Sequence, residues 1–506
     1  MKNLSLAFSV FFVLVFAQFF SAPVFSQDDD LREYYEKQKA LYVKTDDALR
    51  LGSEIVLNEK ELKVNNYLKS LQQGFIQSAG KNFPPANYFY KNRRMIDTSR
   101  IYGIIKRMPK GGLLHVHSSA MGSAEWLVKV ASYMPDCYMY TQPTSQNNVY
   151  GQLQFFKPGE APAGWESLEK LRAQDSNFDQ KLLDLLTFGE QDDRSSVIWV
   201  DFEQIFTRIG GIVSYYPVFT KFLTTAFDSL LADGVYHIEV RTSLGGLYDL
   251  TGKQYTKEDV LTVYKTAAEM SRMKYPYFSY KIIYSDWRGK TQEQIAASLQ
   301  TATDLRQKYP NVVVGYDLVG EEDKGHTTEF FAEQFLNASE IAQQMGTDIP
   351  FYFHDGESTL PDDFNLYDAI ALRTKRIGHG INLFRFPSLV DVVKTNNIAL
   401  EVCPLSNQIL GYVENLRMHP ASEYINRGLP VTISSDDPLI FNYDGLSYDF
   451  WSAFMAWELD LRQLKRLALN SIEYSSMDAG EKQNAYAHFS SKWDDFINQV
   501  YLEAGK

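Results

Sequence analysis

The run Gly112-Leu113-Leu114-His115-Val116-His117 decides how this chain is read. It is a short apolar stretch that ends in two histidines one residue apart. Side chains along a β-strand alternate faces with a period of two, so both imidazoles point the same way. Seven further apolar runs follow, at residues 235–242, 278–285, 312–319, 349–354, 376–381, 398–403 and 431–434. Several are continuous Val/Ile/Leu/Tyr stretches, the pattern of parallel strands buried on both faces. The segments between them, such as 292–308 and 328–345, have helical character and enough length for crossovers. Eight strand–helix units predict a (β/α)8 barrel of the TIM type.

The gap from Ser118 to Val235 exceeds what a crossover needs. Residues 136–163 are rich in Tyr, Gln, Pro, Gly and Asn and lack helical periodicity, so about 125–185 reads as an insertion after the first barrel strand. Residues 27–105 are rich in helix formers and read as a helical arm outside the main core, broken at Pro84-Pro85. The barrel then occupies 106–506. At the start, Lys2 is followed by an uncharged run from Leu4 to Phe20, then Ser21-Ala22-Pro23-Val24-Phe25-Ser26 and Asp28-Asp29-Asp30. This is a signal peptide pattern over 1–26, and it places the mature chain outside the cell or in a periplasm, with no membrane attachment after cleavage.

Composition excludes several classes. The 506 residues are 45% hydrophobic, which rules out disorder, and 50 Lys+Arg against 63 Asp+Glu give a net charge of −13. That balance argues against nucleic acid as a partner. Two cysteines exclude a disulfide framework and a Cys-rich metal site, and with eight histidines any cluster of them is informative.

The chemistry-bearing residues fall at the C-terminal ends of the apolar runs, which converge on one mouth in a (β/α)8 barrel. His115 and His117 close the first run, Asp317 lies near the end of the fourth, His354 ends the fifth, His379 lies in the sixth and Asp436-Asp437 follow the eighth. His354 and Asp436 complete three nitrogens and one carboxylate with the first pair. This set suits Zn2+ and is open to other divalent metals. A metal with an open position makes water nucleophilic near neutral pH, and Glu357 and His379 are available as proton donor and orienting group.

In this order the motifs resemble those of the adenosine deaminase family: Met108–His117, Gly315-Tyr316-Asp317-Leu318-Val319-Gly320-Glu321-Glu322-Asp323, Phe353-His354-Asp355-Gly356-Glu357, Arg376-Ile377-Gly378-His379-Gly380, Cys403-Pro404-Leu405-Ser406-Asn407 and Ser435-Asp436-Asp437-Pro438. The signal peptide, arm, insertion and the segment Trp199-Val200-Asp201-Phe202-Glu203-Gln204-Ile205-Phe206 resemble its secreted, growth-factor-related branch. The resemblance implies one Zn2+ per chain on His115, His117, His354 and Asp436. It implies that Glu357 protonates purine N1, that His379 orients the attacking hydroxide, that Asp437 accepts a hydrogen bond from N7, and that the Gly320 amide contacts N3. The implied reaction converts adenosine or 2′-deoxyadenosine to the inosine product and ammonia. The arm implies a homodimer.

One position departs from the family pattern: Ser119 stands where cytosolic-type members carry a ribose-binding Asp. Sugar recognition then falls to Trp199, Glu203 or the insertion, and another aminopurine (adenine, a modified adenosine or a nucleotide) stays open as the substrate. A binding protein of growth-factor type is the non-enzymatic alternative. A binuclear centre is disfavoured because no Lys ends the fourth run. Among residues outside the motifs, Asp317 is expected to support the site, Glu321, Glu322 and Asp323 to form a solvated loop, and Glu239 and Arg241 to form an internal ion pair. Trp199 and Phe202 either pack in the core or line the pocket. Gly378 and Gly380 are expected to serve backbone shape, and His237, His326, His419 and His488 to be structural or on the surface. A Cys137–Cys403 bridge is not expected.

Overall fold

Strands β1 (Gly111–His117), β5 (Val235–Thr242), β6 (Ser279–Trp287) and β7 (Val313–Val319) pair in parallel in that order, in a computed structural model that describes residues 30–192 and 198–505. Between β1 and β5 lie β2 (Cys137–Tyr140), β3 (Leu153–Phe155) and β4 (Trp165–Ser167). A second parallel sheet contains β8 (His354–Asp355), β9 (Arg376–His379), β10 (Ala399–Val402) and β11 (Val431–Ile433). Parallel bridges Tyr316–Phe351 and Val116–Asp436 join the two sheets at both seams, so the eight strands close into a (β/α)8 barrel. The fifth strand is shorter than the run 349–354: Tyr316 bonds Pro350 O and Tyr352 N, but the Phe353 and His354 amides then donate to the Thr374 and Asp317 side chains, and only two residues form the regular strand. The expected signal peptide lies outside the described residues.

Crossover helices form where the pattern predicts them. Helix Gln292–Lys308 starts at a capping box in which Thr291 and Gln294 satisfy each other's backbone N–H, and Lys257–Arg272 starts the same way with Thr256 and Asp259. The insertion is a three-stranded antiparallel sheet, order β3-β2-β4, followed by helices Leu168–Gln174 and Phe178–Leu186. Helices Ile198–Val213 and Tyr216–Ala232 then return the chain to β5.

The arm divides differently from the expectation. Residues up to 50 are a separate unit, described as the single helix Asp30–Leu49, with Leu31, Tyr35, Tyr42 and Val43 exposed. Residues 51–105, in contrast, belong to the same compact unit as the barrel. Helix Glu59–Ala79 buries Val64 and Leu68, and its Glu61 accepts hydrogen bonds from Trp493 Nε1 and Lys465 Nζ, both at 2.8 Å. Periodicity identifies the helix but does not say what its apolar face meets. Among the described residues no helix is long and apolar enough to cross a membrane.

Candidate active site and metal centre

Alternation along β1 puts His115 and His117 on one side of the strand, their ring centroids 5.6 Å apart, with the His354 ring 4.3 Å from His115 and 5.2 Å from His117. Asp436 Oδ1 lies 3.3 Å from His115 Nε2 and 3.2 Å from His117 Nε2. One ligand atom from each of these four residues falls within 4.8 Å of the others. His115 Nε2 and Asp436 Oδ1 are buried with no hydrogen-bond partner, and His354 Nε2 faces His117 Nε2 across 3.3 Å. Several lone pairs converging on one point, orphaned from hydrogen bonds, fit a divalent cation.

The rings are aimed from behind. His115 Nδ1 lies 2.9 Å from Glu401 Oε2, and His354 Nδ1 lies 2.7 Å from Asp317 Oδ2, so each ring turns Nε2 toward the centre. Arg241 donates to both carboxylates, 2.5 Å to Asp317 and 2.5 Å to Glu401. Arg376 donates to Glu401 at 2.5 Å and to Glu239 at 2.6 Å. The expected Glu239–Arg241 pair is therefore replaced by pairs to other strands. Residues two apart share a strand face, and inside a barrel the nearer partners come from across the interior. Glu401 escaped the sequence reading, although an acid within Leu400-Glu401-Val402 signals a buried, partnered charge.

Two ligating or catalytic candidates sit in strained backbone: His379 has φ 64° and Asp436 φ 61°. Gly380 also has a positive φ of 63°, but Gly378 serves a different need. A Cβ at Gly378 would stand 3.1 Å from His115 Cε1, so its role is room for the ring rather than backbone shape alone.

Glu357 is buried on the cavity wall beside these groups. Burial pushes its carboxyl well above the ordinary range, and the charges of Asp436 and Glu322 push the same way. Burial likewise raises Asp437, with Asp436 adding to it, and lowers His379, with His115 adding to it. Glu322 is not in a solvated loop: it is buried and accepts from the Gly356 and Glu357 amides at 2.9 and 2.7 Å. Those unpaired amides at the turn after β8 need an acceptor, and that need draws the carboxylate inward.

A cavity of about 400 Å3 opens over the centre. Its walls include His117, His354, Glu357, His379, Asp436, Asp437 and Gly320 together with Trp199, Phe202, Glu203 and Trp287. Phe202 is buried as well, so it both packs and lines. Gly320 has φ 111°, and a Cβ there would meet the Trp287 indole at 2.6 Å. Ser119 is not on this wall. His237 bonds Ser279 and Glu239, His326 stacks on Phe330, and His488 stacks on Tyr277. Cys137 and Cys403 are both buried and unbridged.

A barrel mouth that gathers three imidazoles and a carboxylate around one point, next to a buried carboxyl whose pKa is pushed up, defines the class of metal-assisted hydrolases. Comparison with known proteins narrows this class. A family model described as adenosine deaminase matches residues 186–490, and one described as adenosine/AMP deaminase N-terminal matches 11–105. The chain is 40% identical to adenosine deaminase 2 of Dictyostelium discoideum over 474 residues, covering 92% of this chain and 87% of the relative. It is 35% identical to adenosine deaminase 2 of Homo sapiens over 513 residues, covering 97% of each. An Arabidopsis N6-mAMP deaminase shares the fold with a TM-score of 0.57 at 18% identity, over 76% of this chain and 99% of that one. An Arthrobacter aurescens adenine deaminase does so with a TM-score of 0.54 at 20% identity, over 78% and 99%. The chain belongs to the adenosine deaminase family and stands with its adenosine deaminase 2 branch. It is a metal-dependent hydrolytic deaminase acting on C–N bonds.

Proposed function

We propose that this protein hydrolyses adenosine and 2′-deoxyadenosine to the inosine product and ammonia, with one Zn2+ held by His115, His117, His354 and Asp436. The observation that carries the reading is Glu357, a carboxyl buried on the cavity wall beside the convergent ligand atoms, where burial pushes its pKa up. The names of the high-coverage relatives support the nucleoside. Bound there, the ion supplies a Lewis acid that makes water nucleophilic near neutral pH. Glu357 holds the proton that N1 of the purine takes up, and His379 orients the attacking water. Asp437, on the same wall, accepts the hydrogen bond from N7, the role that the resemblance implies. The Gly320 amide takes N3, Trp199 and Glu203 line the sugar end, and Asp317 holds His354 in place.

The test is metal analysis of the purified protein together with ammonia release from a panel of purine nucleosides, nucleotides and free bases. Zinc near one per chain with turnover of adenosine is expected. Turnover of adenine but not adenosine would overturn the nucleoside assignment, and no turnover of any aminopurine would favour a binding role.

The domain plan that we infer is a signal peptide at 1–26 with export of the mature chain, an N-terminal helical segment over 27–105 whose residues from 51 share the barrel's compact unit, and the barrel itself from 106 with its insertion at about 125–185. Helix Asp30–Leu49, with its row of exposed Leu, Tyr and Val side chains, supports a homodimer.

A further inference from the structure

His115 and His354 take their orientation from carboxylates, whereas His379 takes its orientation from an amide. Asn407 Nδ2 lies 3.1 Å from His379 Nδ1, and Asn407 Oδ1 lies 3.1 Å from His419 Nε2. At the far end, the Ala421 backbone N–H donates to His419 Nδ1 at 3.0 Å.

This chain has one self-consistent set of protons. A backbone N–H can only donate, so His419 Nδ1 carries a lone pair. The buried His419 ring is neutral, since burial holds its pKa down to about 3, and its single proton therefore sits on Nε2. That N–H needs an acceptor, which makes the facing Asn407 atom the amide oxygen and turns the NH2 arm toward His379. His379 Nδ1 thus accepts, and a neutral imidazole that accepts on Nδ1 bears its proton on Nε2. His379 Nε2 is buried without a hydrogen-bond partner, on a ring 4.8 Å from His115 and 5.3 Å from His354. Glu357 Oε1 stands 3.4 Å from Nδ1, a contact weaker than the amide bond. Asn407 itself is held by the short helix Pro404–Ile409, whose neighbouring Ser406 donates to Asp436 at 2.8 Å.

We propose that His419 is a positioning residue that acts through Asn407 to lock His379 in its Nε2–H tautomer, so that His379 meets the nucleophilic oxygen as a hydrogen-bond donor. The catalytic part rests on the deaminase reading; the tautomer does not.

Two-bond 1H–15N spectra of the zinc-loaded protein labelled with 15N-histidine test this, with His379 assigned by its loss in His379→Gln. Wild type should show a protonated Nε2 and an unprotonated Nδ1 on His379. In Asn407→Asp the carboxylate accepts from both rings, so the His379 proton should move to Nδ1. There kcat should fall about 10²-fold at unchanged KM and zinc content. His419→Leu should lose about 10–100-fold in kcat. His419→Gln, whose amide can accept from Ala421 and donate to Asn407, should recover most of it. A wild-type His379 protonated on Nδ1 overturns the proposal. So does wild-type kcat in both Asn407→Asp and His419→Leu. If His419→Leu does not fold, the Asn407→Asp spectrum still decides. An Nε2–H tautomer in a protein that deaminates no aminopurine would leave the lock standing and sink the deaminase reading.

Discussion

Arg241 joins the metal centre to the barrel interior. One guanidinium holds Asp317 and Glu401, and these carboxylates hold His354 and His115, so a single planar fork aims two of the four ligands. Arg241→Lys keeps the charge and loses the fork. Its metal affinity, measured by competition with a chelator, should fall about 10–100-fold. Glu357 is predicted to act without touching the metal: Glu357→Gln should lose turnover by about 10²–10⁴-fold while zinc content stays unchanged. At this scale the His-x-His pair and the strand-end acids were legible, because strand periodicity alone orients them. Glu401 and His419 were not, because their meaning lies in partners 286 residues away on β1 and 12 residues back on Asn407.

Helix Ala479–Ala504 shows how an element's role depends on its neighbour. It buries Phe489, Trp493, Phe496, Ile497 and Val500, and Trp493 also donates to Glu61 of helix Glu59–Ala79. Trp493→Ala opens a large cavity and orphans part of a buried carboxylate. Thermal or denaturant unfolding should report a loss of about 3–5 kcal/mol. The crossover helix at residues 292–308 was read correctly from its composition and length, and the capping box at Thr291 gives its start a local cause. Residues 51–105 were misplaced as an external arm because amphipathic periodicity carries no address. β8 came out short because the Phe353 and His354 amides donate to the Thr374 and Asp317 side chains instead of to neighbouring strands, a cause that a count of apolar residues misses.

For the whole molecule, pH and assembly are the accessible readouts. Asp449 is fully buried, bonded to Tyr443 and the Leu405 amide, and burial pushes its pKa up to about 8. A carboxyl raised in the folded state adds stability that is fully present below its unfolded pKa and is lost as pH rises through 8. The Asp449 contribution to stability should therefore fall between about pH 4 and 8. Asp449→Asn should flatten this dependence by up to about 1.4 kcal/mol per pH unit. Equal slopes in the two proteins would refute the assignment. Because residues up to 50 form a unit of their own, a chain lacking 27–50 should keep the melting transition of the barrel and sediment as a monomer. A truncated chain that still sediments as a dimer would place the subunit contact elsewhere.

The sequence by itself determined the barrel, its eight strands and the residues at their C-terminal ends, since those follow from periodicities of two and 3.6 that act along the chain. Only the tertiary structure decided which carboxylate orients which imidazole, where Glu322 points, and that 51–105 belongs with the barrel. Those outcomes come from burial, which forces each charge and polar group to find a partner in space, whatever its distance along the chain.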